Sequence, residues 1–309
     1  MVTDSAQVLE AARDATRDVI PGFVPHRVIA RSVKTHLVLG TLRDGREVVA
    51  KVLSNPAPHW RWYLSWEIAL YGVFHSQPPP VRVPALLAAD AEQGVLVLEH
   101  CRGRLLSHGR NAAARVGPRT IETLTAGLLD LSQWPHAPRA PGGAEGALDG
   151  DRGPRARALP NPRDTVAWLG RCVDRWRERG LLEAETCARL GRRLARPVEL
   201  GFAHGDLLLR NVIEEQTGLA LVDWEFAGKY PFGWDLGLLW VGLGAAQRSA
   251  LERIIDVLPL ARGEQVRLCA LLAAARELEV RRVSLRQGPE HPLVLRLERD
   301  LEIAGERWT

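Results

Sequence analysis

Apolar residues change period once along this chain, and that change limits the fold more than any other feature. Over residues 27–53 they alternate. RVIARSV, HLVLGTL and EVVAKVL are three β-branched runs, the last two joined by Arg43-Asp44-Gly45-Arg46. Asp-Gly between two alternating runs signals a hairpin, because the turn needs residues that tolerate positive φ. Pro56 and Pro58 end the pattern. HWRWYLSWEIALYGVF follows with helical spacing, Trp60, Leu64, Ala69 and Val73 or Phe74 tracking one face. After QPPP come two more strand-like runs, PALLAAD and GVLVLEH. Short turns make five such strands mostly antiparallel, so residues 25–100 are expected to form a small α+β lobe with one helix.

Beyond residue 103 the spacing is helical. Helices are expected at 118–133, 164–179, 182–195, 235–246, 249–258, 264–286 and 292–304, with a short β stretch before the fourth. Residues 135–163 hold six prolines and five glycines, with only Leu148 and Leu159 as apolar bulk beyond alanine. Such a segment cannot offset its ordering entropy by burial, so it is expected to be a flexible insertion. The expected organisation is an N-terminal lobe over 1–101 and a helical lobe over 102–309. Ahead of the first strand, Val8, Ala12, Ala15 and Val19 describe an amphipathic helix stopped before Pro21.

Composition narrows the class of function. The 41 basic and 37 acidic residues leave a net charge of +4 with no dense basic run, which gives no reason to expect a nucleic-acid partner. No run reaches the ~18 apolar residues of a membrane span, and charges interrupt the N-terminal apolar residues where a signal peptide would have its core. A cytoplasmic protein without membrane partners, monomer or homodimer, is expected. Cys101, Cys172, Cys187 and Cys269 are scattered without a CxxC pair, so they are read as reduced, buried thiols. Only Lys34, Lys51 and Lys229 are lysines, so a lysine here is a departure from the chain's habit of using arginine.

The chemistry is concentrated in GFAHGDLLLRNVIEEQTGLALVDWEFAG, residues 201–228. Two β-prone runs, NVIEE and LALVD, flank the turn Gln216-Thr217-Gly218. Asp206 and Asn211 bound the loop before the first run, and Asp223 ends the second. A tight hairpin would return Asp223 towards Asn211, giving a carboxylate and an amide oxygen, hard ligands suited to Mg²⁺, with a second carboxylate one loop away. Phosphoryl transfer needs such a set: a metal to neutralise phosphate charge and a carboxylate to take the proton of the attacking hydroxyl.

This stretch resembles the catalytic and metal-binding segment of the aminoglycoside phosphotransferase and choline kinase superfamily, relatives of the protein kinases. His204-Gly205-Asp206 is similar to their HGD motif, and Val222-Asp223-Trp224-Glu225 to the variant of the kinase DFG element. YPFGWDLGLLW (230–240) resembles the segment in which an aspartate, here Asp235, caps a helix and braces the catalytic loop. The resemblance implies a protein-kinase-like two-lobed α+β fold: a small antiparallel five-stranded sheet plus helix, then a larger, mostly helical lobe. It implies Asp206 as catalytic base, Asn211 and Asp223 as Mg²⁺ ligands, and His204 as a support of the loop. Glu225 would be a carboxylate beside the metal or a surface residue.

The same resemblance makes demands on the first lobe. A kinase places a lysine on its third strand, held by a helix glutamate. Lys51 lies in VVAKVL, and Glu67 is the only acid between Glu47 and Asp90. Alternation puts Val49 and Lys51 inward and Ala50 outward. VLVLEHCRG resembles the fifth strand and hinge, so the backbone of Glu99 and Cys101 would meet the adenine edge with Leu98 behind it. RSVKTHLVLG lacks the glycine-rich phosphate loop; Ser32, Lys34, Thr35 and His36 are unranked candidates to cover the phosphates. Trp60, Trp62 and Trp66, and Tyr230, Phe232, Trp234 and Trp240, are read as packing.

The implied activity is ATP- and Mg²⁺-dependent transfer of phosphate, with GTP as the alternative donor, to a hydroxyl of a small molecule. An antibiotic or related natural product leads, in resistance or biosynthetic self-protection. A metabolite kinase for choline, ethanolamine, thiamine, homoserine or a sugar is the alternative, and a non-catalytic pseudokinase the third reading. From Trp224 to Thr309 acids and bases number 12 each. That balance favours a neutral or anionic acceptor over a polycationic aminoglycoside.

Overall fold

The computed structural model describes residues 4–109, 116–136 and 165–308, with side chains to residue 302. Nearly all of the expected insertion, 135–163, lies outside the described residues. The described chain divides into two units. The first comprises residues 4–103 with Ala220–Glu225; the second comprises the rest.

In the first unit, helix α1 (Ser5–Thr16) opens on a capping box in which Asp4 and Gln7 satisfy each other's backbone N–H groups. Strands β1 (Val24–Arg31), β2 (Thr35–Thr41) and β3 (Glu47–Leu53) run as antiparallel hairpins. Helix α2 (Pro58–Ser76), β4 (Leu86–Asp90) and β5 (Val95–Glu99) follow, giving the sheet order β1-β2-β3-β5-β4 with every pair antiparallel. The β2–β3 turn uses Asp44, whose carboxylate accepts from the Arg46 N–H at 3.0 Å, and Gly45 at φ 82°.

Both faces of the sheet are covered, which revises the expected alternation on β3. Val48, Ala50 and Val52 pack with Val38, Val95 and Val97 against Val8, Ala12 and Phe23. Ala50 is thus core rather than outward, because α1 lies over its face. Lys51 points to the other face, opposite Leu37 and Leu96 in register. The buried side of α2 also differs from the expected stripe. Tyr63, Leu64, Trp66, Glu67, Leu70, Tyr71 and Phe74 are buried, whereas Trp60, Ala69 and Val73 are only half-buried. An acid, Glu67, sits at the centre of that face, so hydrophobic periodicity alone points to a neighbouring stripe.

The second unit is helical apart from short strands. Its helices are α3 (Pro118–Ser132), α4 (Thr165–Glu178), α5 (Ala184–Leu194), α6 (Trp234–Gly242), α7 (Ala245–Asp256), α8 (Leu260–Glu279) and α9 (Pro292–Trp308). Every residue of α6 is buried, so this helix forms the centre of the unit. A Cβ on Gly237 would lie 2.6 Å from the backbone carbon of Cys269, so α6 and α8 pack backbone to backbone there. Helix α8 stops at Glu279 and continues as a π-turn over Val280–Ser284, ahead of its expected end at 286.

Before α6 come β7 (Leu200–Ala203), a 3₁₀ turn (Leu209–Asn211), β8 (Val212–Glu215), β9 (Gly218–Leu221) and β10 (Gly228–Pro231). Strands β7 and β10 pair antiparallel, while β8 and β9 form the expected hairpin, with β6 (Gly103–Leu105) beside β8. The chain enters the first unit within β9, at Ala220, and leaves after Glu225. All four cysteines are free and buried. Among the described residues no helix is long and apolar enough to cross a membrane.

Candidate active site

In the first unit the lysine of β3 meets three carboxylates. Lys51 Nζ lies 2.7 Å from Glu67 Oε2, 2.7 Å from Asp223 Oδ1 and 3.3 Å from Glu225 Oε2. Burial alone would lower the pKa of this ammonium. Asp223 and Glu67 outweigh it and hold the pKa above the ordinary lysine value, so Lys51 stays charged. Glu67 is shared: its Oε1 accepts from the Trp224 backbone N–H at 3.0 Å, which fastens the Asp223-Trp224-Glu225 segment to α2. Trp224 is fully buried, donates its indole N–H to the Leu221 carbonyl, and meets Phe74 edge-on at 4.9 Å.

The carboxylates differ in access. The Asp223 side chain is 29% exposed, against 1% for Glu67 and 3% for Glu225, so Asp223 is the one open to a ligand. Ligand oxygens of Glu67, Asp223 and Glu225 all lie within 4.8 Å of one another. Three hard oxygen donors at that spacing fit a hard divalent cation such as Mg²⁺. The second oxygen of Glu225 pairs with Lys34 on the β1–β2 turn. The sequence alone does not separate Glu225 from a surface residue or rank Lys34 above Ser32, Thr35 and His36.

In the second unit the loop after β7 is held by Asp235. Its Oδ2 accepts from the His204 N–H at 2.6 Å and its Oδ1 from the Gly205 N–H at 3.0 Å. Asp235 is buried, which raises its pKa despite these bonds and the nearby His204. The expected brace is present, but Gly233 is the N-cap of α6 and Asp235 lies in its first turn. Trp234 adds an indole bond to the Gly205 carbonyl at 3.0 Å. Gly205 has φ 82°, and a Cβ there would fall 2.1 Å from the Phe226 carbonyl oxygen, so only glycine fits between histidine and aspartate.

The same loop fixes Asn211 and Asp206. The Asn211 amide nitrogen donates to the Asp206 carbonyl at 2.9 Å, so its amide oxygen is the group's acceptor end. Asp206 is buried, and its Oδ1 meets Arg276 Nη2 at 2.9 Å, while Arg210 Nη2 stands 3.9 Å from Oδ2. By composition Arg276 is one basic residue among the 12 from Trp224 to Thr309. Its signal was its setting, an arginine inside the apolar run LCALLAAAREL.

The site residues therefore fall into two sets: Lys51, Glu67, Asp223 and Glu225 in the first unit, and His204, Asp206, Asn211 and Asp235 in the second. Of the expected hinge, Leu98 and Cys101 are buried. Glu99 pairs through its side chain with Arg82 at 2.7 Å and the Ala85 N–H at 3.0 Å. Trp66 is buried and stacked on Trp62 at 6.1 Å, and Tyr230, Phe232, Trp234 and Trp240 are all buried. These rings pack rather than form a ligand cage.

A family model described as the phosphotransferase enzyme family matches residues 38–278. The chain belongs to that family. The match takes in both sets of site residues, and the protein is a phosphotransferase. No curated protein sequence matches this phosphotransferase. Among solved structures it is similar to a macrolide 2'-phosphotransferase type I at a TM-score of 0.63 and 17% identity, covering 100% of this chain and 99% of that one. It is similar to the GDP and kanamycin complex of APH(2")-IIia at 0.60 and 15% identity, with 97% and 98% covered. A choline/ethanolamine kinase family protein from Mesorhizobium loti aligns at 0.54 and 16% identity, with 96% and 94% covered. These likenesses establish the kinase-like two-lobed α+β fold.

Proposed function

We propose that this phosphotransferase moves the γ-phosphate of ATP, with Mg²⁺, to a hydroxyl of a small molecule, an antibiotic or related natural product. The observation that carries the reading is the Lys51 ammonium held at 2.7 Å by both Glu67 and Asp223. A lysine fixed by a helix acid beside a metal-type aspartate is the arrangement phosphoryl transfer uses to grip a triphosphate.

In this reading Lys51 contacts the α- and β-phosphates and Glu67 keeps its ammonium in place. Asp223 and Asn211 would be the residues to hold the metal, with Glu225 beside Asp223. When bound, Mg²⁺ would supply charge neutralisation for the phosphates. Asp206 accepts the proton of the acceptor hydroxyl as its oxygen bonds to the γ-phosphorus. The bond from that phosphorus to the bridging oxygen breaks, and ADP carries away the electron pair. Asp235 and Gly205 set the backbone angle from which Asp206 projects. His204 supports the loop, and the strand end at Leu98, Glu99 and Cys101 receives the adenine.

The choline/ethanolamine kinase likeness supports a second reading, a metabolite hydroxyl as acceptor. One experiment addresses both. The protein is incubated with Mg·ATP and, one at a time, macrolides, aminoglycosides, nucleoside antibiotics, choline, ethanolamine, thiamine, homoserine and sugars, and each is screened for the mass gain of one phosphate. Gain on an antibiotic alone supports the first reading, and gain on a metabolite alone supports the second. ATP binding without gain or hydrolysis on any acceptor counts against both.

A further inference from the structure

We propose that Lys34 is a second phosphate-binding lysine, standing in for the missing glycine-rich loop, and that Glu225 holds its ammonium in reserve while no nucleotide is bound. The inference rests on the reading that the first unit binds a nucleoside triphosphate.

Three observations support it. Lys34 lies on the β1–β2 turn, where a kinase places the loop that covers phosphates. Its backbone is tied on both sides. Ser32 Oγ accepts from the Lys34 N–H at 3.2 Å and the Thr35 N–H at 3.0 Å, and the Lys34 carbonyl accepts from the N–H groups of Ser54 at 2.8 Å and Asn55 at 3.3 Å. The side chain thus leaves from a fixed point beside the end of β3. Second, Glu225 bridges the two lysines: Oε1 pairs with Lys34 and Oε2 lies 3.3 Å from Lys51. The ammonium of Lys34 is one carboxylate away from that of Lys51, so a phosphate chain that reaches one is within reach of the other. Third, the Lys34 side chain is 20% exposed against 7% for Lys51, so it can exchange partners at smaller desolvation cost.

Charge explains the exchange. The carboxylates of Glu67, Asp223 and Glu225 face the ammonium groups of Lys51 and Lys34. A divalent cation held by these carboxylates would compete with both ammonium groups for them. Lys34 then has less attraction from Glu225 and more from phosphate oxygens, where its compact ammonium makes charge-assisted hydrogen bonds. Its position 5.6 Å from the Trp60 ring gives the stem a wall along which to move. Two of the chain's three lysines stand at this cluster, in a sequence that otherwise uses arginine.

The competing reading is a strap that merely fastens the turn to Glu225. A strap and a phosphate ligand differ in how their loss scales with phosphate number. Calorimetric titration compares wild type, Lys34→Met and, as a control, Lys229→Met, whose lysine is exposed on β10. The titrants, with Mg²⁺, are ATP, ADP and adenosine, or the guanosine series if GTP binds more tightly. Lys34→Met is expected to weaken the triphosphate by roughly tenfold or more, the diphosphate less, and the nucleoside not at all. Equal loss for all three, or no loss for the triphosphate, overturns the proposal and leaves the nucleotide reading intact. A wild type that binds neither triphosphate removes both. Should Lys34→Met fail to fold, Glu225→Gln in EDTA releases Lys34 without deleting it. Tighter triphosphate binding supports the proposal, and unchanged or weaker binding refutes it.

Discussion

Arg276 Nη2 lies 2.9 Å from Asp206 Oδ1, so the carboxylate proposed to take the acceptor's proton is already ion-paired among buried groups. Removing one partner of such a pair leaves the other as an uncompensated buried charge. Arg276→Ala is expected to destabilise the protein by about 3 kcal/mol, seen as a lower urea midpoint, with Arg276→Lys recovering part of it. A variant as stable as wild type would mean that Asp206 gains full compensation from Arg210 or water.

Asp206→Ala should lower kcat by roughly 10²-fold or more while nucleotide affinity stays near wild type, as loss of a positioned base requires. Because the variant takes from Arg276 its partner at 2.9 Å, leaving Glu277 at 3.8 Å, its rate is referred to the folded fraction measured by circular dichroism. Retention of most of kcat on a true acceptor would remove Asp206 from the base role.

Lys51→Ala and Glu67→Ala should each raise the KM for ATP or lower kcat, and the double variant should be little worse than either. That is the coupling expected of residues 2.7 Å apart acting on one ligand. Lys51→Arg should also be poor. Three carboxylates converge on one ammonium here, and a planar fork cannot reproduce that point contact. Additive losses in the cycle would exclude a joint role.

Asp235→Asn tests the loop brace. Two backbone N–H groups, of His204 and Gly205, need two acceptor oxygens, and asparagine supplies one. Its NH₂ would face a donor, so the variant should lose about 1–3 kcal/mol of stability, with kcat falling because Asp206 follows the displaced loop. Unfolding curves and initial rates measured together check this. A neutral effect on both would show that one acceptor is enough.

Glu279 gives a pH signature independent of the reaction. Burial would raise its pKa, but bonds from Arg175 and Trp176, with Arg179 nearby, hold it below the ordinary value of 4.5. A depressed carboxylate contributes stability above its unfolded pKa and loses that contribution as pH falls through the folded one. Wild type should therefore exceed Glu279→Gln in stability at pH 7, and the gap should narrow as pH drops below 4.5. A gap constant from pH 7 to 3 would mean that the bonds are maintained by the neutral acid.

Much of this was legible because it is local. Alternation located β1 to β5, Asp-Gly the hairpin turn, and the scarcity of acids singled out Glu67 as the partner of Lys51. The HGD and DWE segments marked Asp206, Asn211 and Asp223 through resemblance. Contacts between residues far apart in sequence were not legible. Arg276 is 70 positions from Asp206, and Lys34 is 191 positions from Glu225. No period or spacing links such pairs. Ala50 was misplaced for a similar reason, since nothing in β3 reveals that α1 will cover it. The buried side of α2 was obscured by the one acid it carries, Glu67.

Asp223 has φ 68°, one of two non-glycine residues in the left-handed region among the described residues. Aspartate tolerates that backbone better than most residues, and glycine adopts it without steric cost. Replacing Asp223 by glycine relaxes the chain and also removes the carboxylate most open to a metal. The same change takes from the buried Lys51 a carboxylate 2.7 Å away, so selection for heat resistance alone would weigh backbone relief against a lost ion pair and ignore the reaction. A library selected for growth on the true acceptor should instead purge the same change. Sequencing the two pools side by side would show how far durability and livelihood part company at position 223.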